Sequence, residues 1–72
     1  MTKEDFLTKF TDILQTEETI TLDSVLEDLD DWDSLTTMAT VSWLLENKVQ
    51  ITVKEIAGYK TVGEIAAKLG VQ

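Results

Sequence analysis

Phe6, Leu7, Phe10, Ile13 and Leu14 follow one another at steps of one, three, three and one, the spacing of an amphipathic helix. Such a stripe is stable in water only against another apolar face. A chain of 72 residues, 43% of them apolar, must find that face within itself, close to the lower size limit for a domain held by its core alone. The spacing predicts a helix over residues 3–15, with Thr2 and Asp5 placed as an imperfect capping box. Residues 1–72 are expected to form one domain.

After Gln15 the stripe stops. No glycine or proline occurs before Asp33, yet Ile20, Leu22, Val25, Leu26, Leu29 and Trp32 keep the segment apolar in places. This pattern predicts a long loop pinned to the core, with a helical turn near Ser24 to Leu29. From Ser34 a helical pattern returns. Leu35, Met38, Ser42 and Leu45 mark one face, Ala39, Val41 and Leu44 lie beside it, and Trp43 falls at its boundary. Glu46, Asn47 and Lys48 finish this helix. Thr52 and Glu55 open a short helix stopped by Gly58, and Thr61 and Glu64 open a last one stopped by Gly70, both in capping-box spacing. No strand pattern is convincing. The expected fold is all-α: a small four-helix bundle of three longer helices and one short one, with a long loop between helices 1 and 2.

The chain has no cysteine and no histidine. Disulfides, thiolate metal sites and the usual general base are therefore absent. Residues 1–33 hold eleven acids and two lysines, a balance of −9, whereas residues 34–72 hold three acids and four lysines, a balance of +1. That field repels nucleic acid and anionic lipid and attracts basic protein surfaces. Arginine is missing too, which weakens any phosphate-binding reading. No apolar run has the length of a signal peptide's or of a membrane span, so the expectation is a cytoplasmic protein without membrane insertion.

Asp28, Asp30, Asp31 and Asp33 resemble calcium-loop ligands in type but not in spacing. Counted from Asp28, the sixth and twelfth positions are Asp33 and Ala39; from Asp30 they are Leu35 and Val41. Neither frame supplies the required glycine and glutamate, and no metal site is expected. The carboxylates lie on a polar loop with no sign of an apolar pocket that would raise one of their pKa values for acid–base work. Two Asp-Ser pairs remain, Asp23-Ser24 and Asp33-Ser34. Either serine fits a helix cap. Neither fits a nucleophile within this chain, since no base and no nucleophile elbow accompany it. A serine exposed at a helix start is, however, suited to modification by another enzyme.

Leu29-Asp30-Asp31-Trp32-Asp33-Ser34-Leu35 resembles the D-S-L attachment motif of acyl carrier proteins, in a stand-alone W-D-S-L form. Ile51-Thr52-Val53-Lys54-Glu55-Ile56 resembles the opening of their third helix, and Tyr59-Lys60-Thr61-Val62-Gly63-Glu64-Ile65 the opening of the fourth. The likeness spans nearly all of the chain. It implies a non-catalytic carrier in which Ser34 bears covalent 4′-phosphopantetheine derived from coenzyme A, beside Asp33, with Leu35 inserted toward the core. Acyl intermediates would be held as thioesters on that arm, in polyketide-like, lipid-modifying or aminoacyl-type chemistry.

The resemblance further implies a monomer whose partners are a phosphopantetheinyl transferase and acyl-loading and acyl-transferring enzymes with basic docking surfaces. Glu27, Asp28, Asp30, Asp31, Trp32 and Glu46 are the candidate docking residues. Leu35, Met38, Ala39 and Ile56 are candidates to line an acyl cleft, with plain core packing as the other reading for each. Ser24, followed by Val25 and by no sustained helix, is expected to be a cap or surface residue. Three departures set the chain apart, one of them a link before the third helix that is one residue off the common spacing. Asp31 stands where the family often has glycine, and residues 36–45 carry no acid, whereas the fatty-acid carriers bear several there. A specialised carrier is therefore expected rather than a housekeeping one. The rival expectation is an unmodified acidic interaction module with Ser34 as a helix cap only.

Overall fold

A computed structural model describes residues 1–71; of the domain expected over residues 1–72, Gln72 lies outside the described residues. Four α-helices and one short 3₁₀ turn are joined without a strand among the described residues. Helix α1, Lys3–Leu14, starts where the Thr2 hydroxyl accepts the Asp5 N–H at 3.1 Å. Glu4 and Asp5 occupy its first turn, favourably for the helix dipole. Phe6, Phe10 and Leu14 are its buried stripe. Helix α2 is Ser34–Glu46, α3 is Val53–Ala57 and α4 is Val62–Leu69. The bundle is all-α, and its helix limits lie close to those expected.

The face that α2 buries differs from the expected one. Leu35, Met38 and Leu45 are 79%, 58% and 51% exposed, and Ser42 is exposed as well. Thr37, Thr40, Val41, Trp43 and Leu44 point inward instead. Residues 34–45 carry no charge, so polarity alone does not select a face. The threonines can go inward because each hydroxyl returns to the helix backbone. Thr37 donates to the Asp33 carbonyl at 2.6 Å and Thr40 to the Thr36 carbonyl at 2.8 Å. Once that bond is made, a threonine packs as a methyl group. Trp43 is therefore not at a boundary: it is buried and stacks on Phe6, with centroids 5.6 Å apart.

The C-terminus of α2 closes in a Schellman motif. Val49 N–H reaches the Leu44 carbonyl and Lys48 N–H the Leu45 carbonyl, each at 2.9 Å. Lys48 holds the left-handed position, with φ 65°. At the end of α4 the same motif has Gly70 there, with φ 75°.

The long loop, Gln15 to Asp33, is fastened to the junction of α3 and α4 by main-chain bonds. Leu26 N–H donates to the Lys60 carbonyl at 2.8 Å, Val62 N–H to the Ser24 carbonyl at 3.0 Å and Gly63 N–H to the Leu22 carbonyl at 2.8 Å. An isolated antiparallel bridge pairs Val25 with Thr61. The expected helical turn is the 3₁₀ segment Leu26–Asp28, whose Leu26 is buried. Around α1 the core is aromatic. Phe6 stacks on Phe10 at 5.8 Å, and Phe10 meets Trp32 at 5.8 Å. The row Trp43, Phe6, Phe10, Trp32 thus links α2, α1 and the end of the loop.

Candidate functional site

The loop enters α2 through a tight sequence of turns. Leu29 N–H bonds to the Leu26 carbonyl at 3.1 Å and Trp32 N–H to the Leu29 carbonyl at 3.0 Å. Asp33 then adopts an extended conformation and caps α2. Its carboxylate accepts the Thr36 N–H at 3.0 Å, and the Thr36 hydroxyl accepts the Asp33 N–H at 2.9 Å. This is a reciprocal capping box, with threonine in place of the usual glutamate or glutamine. The Thr36 N–H, foremost, holds the Asp33 carboxyl below its ordinary range.

The three boxes expected from spacing are not reciprocal. Thr2 and Thr52 each accept one N–H. Glu55 binds the Tyr59 hydroxyl and Lys68 instead of turning back. Thr61 makes no side-chain cap bond, and Glu64 accepts the Lys60 N–H.

Because Asp33 takes the cap, Ser34 is the first residue of the helix. It is exposed, and its hydroxyl enters no hydrogen bond among the described residues. Beside it runs a groove of about 300 Å³ between α2 and α3, lined by Trp32, Ser34, Thr37, Met38, Val53 and Ala57. Trp32 and Ala57 also border a larger cleft of about 670 Å³, reaching Leu26, Tyr59 and Lys60. Ser24 is built differently. Its hydroxyl accepts the Thr21 N–H at 3.0 Å and its carbonyl accepts from Val62, so it closes a turn of the loop.

Leu35 does not insert toward the core. On the first turn it lies outside the inward face set by Thr37, Thr40 and Leu44, and it is largely exposed. Met38 and Ala39 are exposed too, and only Met38 borders the groove. Ile56 is fully buried in the core cluster. Glu27, Asp28 and Asp30 are exposed and Asp31 and Trp32 half-buried. Among the described residues the only ion pair is Lys68–Glu55, so these loop acids have no cationic partner there. Glu46 ends α2, a helix rise of about 18 Å from Ser34. Thr36, Val53 and Ala57 were not singled out by the sequence. Thr36 carries a signal in its position three residues after Asp33, whereas Val53 and Ala57 join the site only through the packing of α3 on α2.

Residues 4–69 match the protein family described as the phosphopantetheine attachment site. The chain belongs to that family. It is a carrier domain of the acyl carrier protein type, a kind of domain that is typically non-catalytic and receives 4′-phosphopantetheine covalently. No curated protein and no solved structure matches the chain. The residues present fit the group. An arm linked through a phosphodiester needs a reachable hydroxyl and a place for an anion. Of these the carrier domain offers the hydroxyl, exposed on Ser34 at the first position of α2; beyond the Asp33 cap, whose carboxylate already accepts the Thr36 N–H, the first turn holds no acidic side chain. No helix among the described residues is long and apolar enough to cross a membrane.

Proposed function

We propose that Ser34 is the hydroxyl that receives the phosphopantetheine arm, and that the domain carries acyl groups between enzymes of a specialised pathway. One observation supports this above the others: the cap of α2 is taken by Asp33, leaving the Ser34 hydroxyl exposed and unbonded. In the transfer, the Ser34 oxygen bonds to phosphorus and the pyrophosphate P–O bond of coenzyme A breaks. Adenosine 3′,5′-bisphosphate departs, and the hydroxyl proton passes to a base of the transferase. Once attached, the arm supplies a thiol that holds an acyl group as a thioester. The chain itself, without histidine or cysteine, supplies position and docking. In the rival reading, an unmodified interaction module, the capping role passes from Ser34 to Asp33.

The docking reading is refined by burial. Trp43 is inside, so the helix face beside Ser34 is formed by Leu35 and Met38, extended by Val53 of α3. Upstream of it lie Glu27, Asp28, Asp30 and Asp31. A partner suited to this surface has basic groups for the loop and an apolar patch for Leu35 and Met38. The absence of acids from residues 34–45 supports a partner set other than that of housekeeping fatty-acid synthesis. For cargo, the groove and the larger cleft share Trp32 and Ala57, which favours those two residues over Leu35 and Ala39 as lining.

The test is intact-mass measurement after incubation with coenzyme A, magnesium and a broad-specificity phosphopantetheinyl transferase. Wild type and Ser24→Ala should each gain one phosphopantetheine, and Ser34→Ala none. A folded wild-type chain that gains nothing, under conditions in which a control carrier is modified, would favour the unmodified interaction module.

A further inference from the structure

Asp33 and Ser34 are both strong N-cap residue types, and their intrinsic capping strengths differ little. Only one can start α2. With Ser34 as cap, its oxygen would accept a helix N–H two or three residues on, and the hydroxyl would be turned into the helix end. With Asp33 as cap, the hydroxyl is left free. The choice between two registers, one residue apart, therefore decides whether residue 34 offers a usable oxygen.

Thr36 tips that choice. A hydroxyl has one proton and two lone pairs. Here it accepts the Asp33 N–H at 2.9 Å and donates to the Asp31 carbonyl at 2.7 Å. The Asp33 carbonyl and carboxylate, at 3.3 and 3.2 Å, are weaker competitors for the same proton. The backbone N–H of Thr36 completes the box. The alternative register would need Thr37 in that role. Thr37, however, is buried and its hydroxyl is committed to the Asp33 carbonyl at 2.6 Å. One side chain thus joins Asp31, Asp33 and the helix on either side of the point where the chain turns.

We propose that Thr36 is a positioning residue for arm attachment: it locks α2 in the register that leaves the Ser34 hydroxyl free. This rests on the reading of Ser34 as the attachment point. Thr36 itself touches no reacting atom. Thr36→Val keeps the shape and removes both side-chain bonds, Thr36→Ser keeps the hydroxyl, and Thr36→Gln keeps a group that reaches back in capping boxes.

Transferase kinetics with each variant should show kcat for Thr36→Val reduced about twofold, since a lost capping bond shifts two otherwise balanced registers about fivefold, from roughly five to one to an even mixture. KM should be little changed, because the loop acids are untouched. Thr36→Ser should restore kcat, and Thr36→Gln most of it; these two carry the comparison if Thr36→Val does not fold. In nuclear magnetic resonance spectra, the Ser34 backbone shifts of Thr36→Val should move from helical toward extended values. Three results would overturn the lock: unchanged kcat in Thr36→Val, a loss that Thr36→Ser does not restore, or helical Ser34 shifts in Thr36→Val. The first and third leave Ser34 standing as the attachment point. If folded wild type is not modified at all, the reading of Ser34 falls and the lock with it.

Discussion

The indole of Trp32 leans on the ring of Phe10, centroids 5.8 Å apart and planes tilted by 48°, while the same residue lines the groove that holds Ser34. The end of the loop is therefore held by an aromatic contact with α1 in addition to the Thr36 bonds. Trp32→Ala should destabilise the fold by about 1–3 kcal/mol, less than a fully buried tryptophan because Trp32 is half-exposed. Trp32→Phe should recover much of this. Urea denaturation followed by circular dichroism measures both.

Gly63 is needed for a close approach. A Cβ there would stand 2.9 Å from the Leu22 carbonyl oxygen, which is also the acceptor of the Gly63 N–H. Gly63→Ala should cost about 1–3 kcal/mol by forcing the loop from α4. At Gly58 the nearest such contact is 3.4 Å, and Gly58→Ala should shift the thermal midpoint far less.

Lys48 and Gly70 occupy the same position of the same motif. Lys48→Gly should stabilise the chain by about 0.5–1 kcal/mol by removing the left-handed strain of a side-chain-bearing residue. Gly70→Ala should destabilise it by about 1 kcal/mol. Opposite signs in one chemical-denaturation series are the expected result.

Among the described residues two carboxyls lie below their ordinary values: Asp33, first through the Thr36 N–H, and Glu55, first through the Tyr59 hydroxyl and then Lys68. A lowered folded pKa contributes stability that is complete above the unfolded value and is lost as pH falls through the folded one. Thermal midpoints should therefore drop below the ordinary values of 3.8 and 4.5, and less steeply in Asp33→Asn and Glu55→Gln. Tyr59 shifts the other way, raised first by burial and then by its bond to Glu55. Its contribution is complete below the ordinary value of 10.0 and is lost as pH rises through the folded one, so Tyr59→Phe should flatten the alkaline limb.

The helices were legible because their caps and stops are local. Thr2, Thr52, Gly58 and Gly70 mark boundaries whatever surrounds them. The inward face of α2 was not, because twelve uncharged residues, Ser34 to Leu45, leave hydropathy without contrast, and burial follows the threonines that bond to their own helix. The fastening of the loop was also hidden: it uses the main chain of Leu22, Ser24, Leu26 and Lys60, which leaves no mark in side-chain pattern. At the site, Asp33-Ser34 is plain in the sequence, but which of the two does the capping depends on Thr36, outside the usual capping-box template.

The aromatic row has an optical consequence. The chain's two tryptophans sit at opposite ends of a phenylalanine pair, Trp43 buried against Phe6 and Trp32 half-exposed against Phe10. Light emitted by Trp43 should be blue-shifted and steady, while that from Trp32 should respond to whatever enters the groove beside Ser34. Without any label, the wild-type chain carries both an internal standard and a sensor, and Trp43→Phe would leave the sensor alone.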